Sequence, residues 1–161
     1  MKKLIVFILL ALLLISCVSY KNIYSKLEGE DKKYFYLLLY EVPSKRIKQV
    51  LSYKKHKKRY VVNKILKEES RKKGMPLQRY KAKKLEKIRR ANMRYGQYEK
   101  GIFTDRGRIL IKYGYPESKK NKIKKNNEYV IWSYPEYNVD FEFKKLSSGE
   151  YKLINTVDEL L

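Results

Sequence analysis

The sequence predicts an α+β fold, with basic N-terminal helices packed on a small C-terminal antiparallel β-meander of about three strands. Three observations predict it. Between Ile47 and Tyr95 apolar residues recur at three- and four-residue spacing, with Lys and Arg filling the gaps. From Val139 to Phe143 apolar and acidic residues alternate strictly, the period of a half-buried strand. The stretch that joins these halves, Gly101 to Glu117, is dense in cap and turn residues.

The chain has 161 residues, enough for one small domain and a targeting segment. Lys and Arg number 39 against 17 Asp and Glu, a net charge of +22. A charge of that size suits an anionic partner, and it also suits lysines that simply coat solvated faces. Cys17 is the single cysteine, so an internal disulfide and a cysteine-based metal site are both excluded.

Residues 1–16 have the organisation of a lipoprotein signal peptide. Met1-Lys2-Lys3 is a positive start, and Leu4 to Ile15 is an apolar run. The run is shorter than the roughly 20 residues a membrane-spanning helix needs, and it suits a secretory core. It ends in Leu14-Ile15-Ser16-Cys17, which resembles a bacterial lipobox. That resemblance implies cleavage after Ser16 and acyl chains, palmitate among them, on Cys17. At ~0.8 kcal/mol per buried CH₂, two or three chains would hold the protein on a membrane. Val18 rather than Asp follows the cysteine, which favours the outer membrane in a two-membrane cell. Export in turn argues against nucleic acid as the partner of the basic residues.

Residues 17–33 are expected to be the lipidated cysteine and a polar tether, and residues 34–100 a basic helical region. Tyr34 to Val42 is apolar and aromatic, a helix end or a buried strand. Pro43 punctuates it, and Ser44 is placed to cap a helix from Lys45. Ile47, Val50 and Leu51 give that helix an apolar face; Val61, Val62, Ile65 and Leu66 continue it. Between them Ser52 to Tyr60 is nearly without aliphatics, so either one helix crosses solvent or two helices break there. Gly74-Met75-Pro76 ends the section. A further helix from about Leu77 to Tyr95 carries Leu77, Tyr80, Lys84, Leu85, Ile88, Ala91, Asn92 and Tyr95 on its inner stripe.

Residues 101–161 hold the central motif and the meander. Thr104-Asp105 can cap a short helix that Gly114 closes in a left-handed conformation and Pro116 prevents from continuing. Ile109, Ile111 and Tyr113 also alternate, so a strand stays open as the other reading. Lys119 to Asn127 is expected to be a polar loop. Tyr129 to Tyr134 then predicts a strand, Pro135 to Asn138 a turn, Val139 to Phe143 a second strand, Ser147-Ser148-Gly149 another turn, and Tyr151 to Leu153 the last strand. Trp132 is expected in the core under a helical lid.

Residues that could carry chemistry are few. His56 is the only histidine and has no nearby nucleophile or carboxylate to orient it. Asp105, Glu117, Glu128, Glu136, Asp140 and Glu142 show no spacing that pairs two of them as acid and base. Asp105 beside Arg106 and Arg108 suits a structural ion pair better than a base poised near neutrality. No metal site, cofactor site or catalytic set is expected. The densest basic patches are Lys54, Lys55, Lys57, Lys58 and Arg59, then Arg71, Lys72 and Lys73, then Lys81, Lys83 and Lys84. Tyr53, Tyr60 and Tyr80 interleave with them, a combination that can serve nucleic-acid stacking, but export makes anionic lipid or cell-wall glycan the expected target.

The run Gly101-Ile102-Phe103-Thr104-Asp105-Arg106-Gly107-Arg108, followed by Tyr113-Gly114-Tyr115-Pro116-Glu117 and Ile131-Trp132-Ser133-Tyr134, resembles the GWxTD domain family. Upstream, Tyr80, Ile88, Ala91-Asn92 and Tyr95 suit the family pattern, as do Val61-Val62, Ile65-Leu66 and Gly74-Met75-Pro76. The resemblance covers about Tyr34 to Leu153. Two departures stand out: Ile102 occupies the place of the family's Trp, and Glu69-Ser70-Arg71 that of its Arg-Asp-Pro. Members are exported bacterial proteins without an assigned activity, so the resemblance implies a fold and a compartment. It marks Gly101, Thr104, Asp105, Arg106, Gly107, Arg108, Gly114, Pro116 and Trp132 as the motif, in structural roles. A looser similarity links the capped helix, Gly-x-Pro and Trp-x-Tyr to small lipoproteins of outer-membrane-protein assembly. The expectation is a non-enzymatic envelope lipoprotein that docks on an envelope protein complex. A polyanion-binding lipoprotein is the other reading.

Overall fold

A computed structural model of the protein describes residues 20–97 and 99–155. The expected signal peptide and lipobox, with Cys17, lie outside the described residues. Among the described residues six helices precede an antiparallel sheet, the α+β arrangement that the sequence predicts. The helices are α1 (residues 20–25), α2 (Gly29–Leu38), α3 (Ser44–Leu51), α4 (Lys55–Lys72), α5 (Leu77–Tyr95) and α6 (Asp105–Tyr113). The strands are β1 (Ser118–Lys124), β2 (Asn127–Tyr134), β3 (Val139–Lys145) and β4 (Tyr151–Leu153), in the order β1-β2-β3-β4. The chain divides into two compact units between Glu86 and Lys87, inside α5.

The first unit is helical. The segment expected as a tether is helical from residue 20, because its aromatic residues have partners. The Tyr20 ring lies 6.4 Å from Phe35 and 5.2 Å from Tyr40, and its hydroxyl donates to the Val42 carbonyl. Tyr34 to Val42 resolves as the end of α2, with Phe35, Leu38 and Leu39 fully buried and Tyr40 at φ +59°. Ser44 is not a cap: Pro43 holds that position, and its carbonyl accepts from the Arg46 and Ile47 amides. The chain breaks between α3 and α4, so two helices replace the single long one. Gly74, at φ +58°, closes α4. Its amide donates to the Arg71 carbonyl and that of Met75 to Ser70, the paired bonds of a Schellman turn.

In the second unit the meander has four strands, not three. Ser118 to Lys124, expected as loop, is an edge strand exposed along its whole length. A two-residue turn at Lys125-Asn126, with φ of +48° and +60°, connects it to β2. Pairing of Lys119 with Trp132, and of Trp132 with Phe141, fixes the faces. Trp132, Tyr134, Val139, Phe141, Phe143 and Leu153 are buried on one side; Asp140 and Lys152 are exposed on the other. Within this unit α6 and the end of α5 lie on the apolar face. Ile109, Leu110 and Ile111 are buried, and Tyr95 meets Trp132 at 5.8 Å between ring centroids.

Candidate functional site

The central motif folds as a short 3₁₀ turn, Gly101–Phe103, leading into α6. The helical reading of Thr104 to Tyr113 is the observed one, because Thr104 caps it. The Thr104 Oγ1 accepts from the Gly107 amide at 3.1 Å and donates to the Gly101 carbonyl at 2.8 Å. Both glycines stand where no side chain fits. A Cβ on Gly101 would lie 1.9 Å from the Ala91 carbonyl oxygen, and one on Gly107 would lie 1.7 Å from the Gly101 carbonyl oxygen. Ile102, in the place of the family's Trp, is fully buried, and its amide donates to Asn92 Oδ1 at 3.2 Å.

Asp105 ties the helix start to the last strand. Its Oδ2 accepts from the Leu153 amide at 2.9 Å, and its Oδ1 from Arg108 Nη2 at 3.1 Å. The carboxylate thereby satisfies an edge amide that β3 does not reach. Gly114 ends α6 at φ +93° and ψ −158°, a positive-φ extended conformation rather than the left-handed helical one expected. Its carbonyl accepts from the Tyr134 hydroxyl at 2.9 Å. After Pro116 the Glu117 amide donates to the Ser133 carbonyl and begins the pairing of β1 with β2. Trp132 is buried with Phe143 at 4.9 Å.

Arg106 is the charged motif residue whose contacts are aromatic. Its Cζ lies 4.8 Å from the Tyr95 ring centroid and 4.0 Å from that of Tyr151. Burial disfavours its cation, and the two tyrosines partly offset that. On the neighbouring edge strand Lys119 Nζ lies 5.0 Å from the Trp132 ring centroid. Burial lowers the Lys119 pKa, and the charges of Arg94 and Arg106 lower it further. Sequence reasoning assigned Lys119 to a loop. Its register opposite Trp132 becomes visible only once β1 is known to be a strand.

The predicted polyanion residues divide into two groups. Lys58 is buried and donates to both oxygens of Asp31, at 2.7 and 2.8 Å. Lys84 is buried and donates to the Leu39 carbonyl at 2.6 Å and to Glu41 at 2.5 Å. These two lysines are structural and do not belong to a surface patch. Lys81 is half-buried and bonds Asn63 Oδ1, and burial lowers its pKa. Lys54, Lys55, Lys57, Arg59, Arg71, Lys72, Lys73 and Lys83 are exposed. Among them Lys55 lies 3.8 Å from Glu30, Lys72 pairs with Glu69, and Lys57 lies over the Tyr53 ring.

Asp105 is committed to Leu153 and Arg108, and Glu128 pairs with Lys145 at 2.7 Å. His56 is exposed at the start of α4. Among the described residues no three His, Cys, Asp or Glu side chains cluster as metal ligands. Nor is any helix among them long and apolar enough to cross a membrane.

Compared with known proteins, residues 15–158 match the GWxTD domain. The chain belongs to the GWxTD domain family. The match is longer than the motif-bearing stretch, extending into both structural units and including the Cys17 position. Neither a curated protein nor a solved structure matches the chain. The geometry assigns structural roles to the motif: Gly101 and Gly107 for close approach, Thr104 as cap, and Asp105 as the tie to β4. Arg106 is left facing a cationic and aromatic neighbourhood.

Proposed function

We propose that the chain is a lipid-anchored envelope protein that works by binding, as a component of an envelope protein assembly, and not by catalysis. The observation that carries this reading is Leu14-Ile15-Ser16-Cys17 at the end of the apolar run, with the only cysteine of the chain at the acylation position. Acylation at Cys17 would leave a helical unit and a lidded sheet outside the bilayer. The engagement of Thr104, Asp105, Gly107 and Gly114 in the fold's own contacts supports a scaffold for surfaces more than a reaction centre.

The test is labelling of cells with a palmitate analogue, followed by affinity isolation of the full lipoprotein from detergent-solubilised envelope beside Cys17→Ala. The expected result is label on the wild type only, loss of membrane association in the variant, and stoichiometric protein partners that survive high salt. Unlabelled wild type would overturn the anchor. Labelled protein that isolates without partners would overturn the assembly role.

A second reading rests on the exposed cations of α4 and the turn that follows it, Lys54, Lys55, Lys57, Arg59, Arg71, Lys72 and Lys73. They would contact anionic lipid or glycan, at ~1 kcal/mol for each residue near an anionic membrane. Vesicle binding that weakens steeply with salt supports this reading, and salt-independent binding sinks it.

A further inference from the structure

We infer that Arg106 and Lys119 form a binding site for a phosphate group, walled by Tyr95, Tyr151 and Trp132. The two cations come from the start of α6 and from β1. Each lies against this cluster of rings, and neither forms an ion pair with a described carboxylate. Arg94, at the end of α5, adds positive charge to which Lys119 responds. This is unlike the buried cations of the first unit, where Lys58 has Asp31 and Lys84 has Glu41. Arg106 is the most telling. Its guanidinium is half-buried, with Cζ over the rings of both Tyr95 and Tyr151. The planar fork of donors on a guanidinium suits a phosphate or carboxylate, and Lys119 on the same aromatic wall favours the dianion. Lys119 against Trp132 brings its ammonium to the same aromatic wall, since Trp132 and Tyr95 are themselves in ring contact.

This site is distinct from the basic surface of α4, and it does not depend on the chain being lipidated. The phosphate could belong to a free small molecule or to a lipid headgroup, and the test separates them.

Trp132 is the only tryptophan in the chain and touches the site, so its emission reports occupancy. The full chain in non-ionic detergent is titrated with inorganic phosphate, chloride holding the ionic strength constant. In a second arm it is titrated with phosphatidylcholine vesicles containing phosphatidic acid, against pure phosphatidylcholine. A saturable change in Trp132 emission is expected. Lys119→Gln should weaken it about tenfold, the loss of one charge-assisted contact. Lys120→Gln, one residue along on the opposite face of the same exposed strand, should leave it unchanged. Arg106→Gln should abolish it; since Arg106 also packs between rings, the Lys119 and Lys120 pair decides the question if that variant unfolds. Saturation by free phosphate makes the group itself sufficient, and saturation by the phosphatidic acid vesicles alone makes a lipid headgroup the source. No saturable response in either arm, or equal losses in Lys119→Gln and Lys120→Gln, would overturn the site.

Discussion

A glycine in a motif has two common uses, and the difference between them is measurable here. Gly149 lies in open space at φ +86°, so its role is conformational. Gly101 and Gly107 instead stand against backbone carbonyls that cannot give way. Gly101→Ala and Gly107→Ala should each cost about 3 kcal/mol or more, as overpacking against main chain. Gly149→Ala should cost about 1 kcal/mol. Urea midpoints of the three variants check the order. Lys84 and Glu41 pose a different question at the same scale. Burial pulls the Lys84 pKa down against the pull of Glu41, whereas for Glu41 burial, which would raise its pKa, is outweighed by Lys84 together with Tyr80 and Lys73, so its pKa is lowered. Burial and the Glu41 charge hold the Tyr80 hydroxyl beside them protonated. Lys84→Met should therefore strand a buried carboxylate and cost about 3–5 kcal/mol. The sign of the pH dependence follows from Glu41. A carboxyl with a lowered folded pKa contributes stability above the ordinary carboxylate range and loses it as pH falls through the lowered value. Wild type should lose stability on acidification more steeply than Glu41→Gln, as measured by urea midpoints between pH 7 and pH 3.

At the scale of elements, what could be read from the sequence tracked how strongly each element sorts apolar from polar residues. The stripe on α5 was legible because Tyr80, Ile88 and Ala91 are buried at helical spacing, and Lys84 lies on that stripe with them. The alternation of β3 was legible for the same reason. The strand β1 was not, because Ser-Lys-Lys-Asn-Lys-Ile-Lys has no apolar period and is exposed on both faces. Its one signal was the Lys125-Asn126 turn, where asparagine tolerates positive φ. The phosphate site was hidden with it, since Lys119 gains its place only by pairing with Trp132. The helix α1 escaped because its support is tertiary, from Phe35 and Tyr40. The composition of β1 has a physical use at a sheet edge. Its lysines discourage another strand from adding there. Replacing Lys120, Lys122 and Lys124 by valine should leave the fold intact and produce concentration-dependent association, measured by light scattering. A variant that stays monomeric at high concentration would show that the lysines do not guard this edge.

For the whole molecule, a charge of +22 on 161 residues has two separable consequences. Like charges held in a compact state repel more than in an expanded chain, so the charge works against folding at low ionic strength. The same charge attracts any anionic surface. Salt screens both, with opposite results. Between 10 mM and 150 mM the Debye length falls from about 30 Å to about 8 Å. The thermal midpoint of the full chain in detergent should therefore rise across that range, while vesicle binding by the α4 cations weakens. Chloride is the salt to use, because phosphate would add specific stabilisation by occupying the Arg106 site. That difference is itself informative. At equal ionic strength, phosphate should raise the midpoint above chloride in wild type and in Lys120→Gln, and much less in Lys119→Gln. A midpoint that follows ionic strength alone, whatever the anion, would leave the charge as a uniform coat. A midpoint that follows the anion would mean that part of the charge is built into a site.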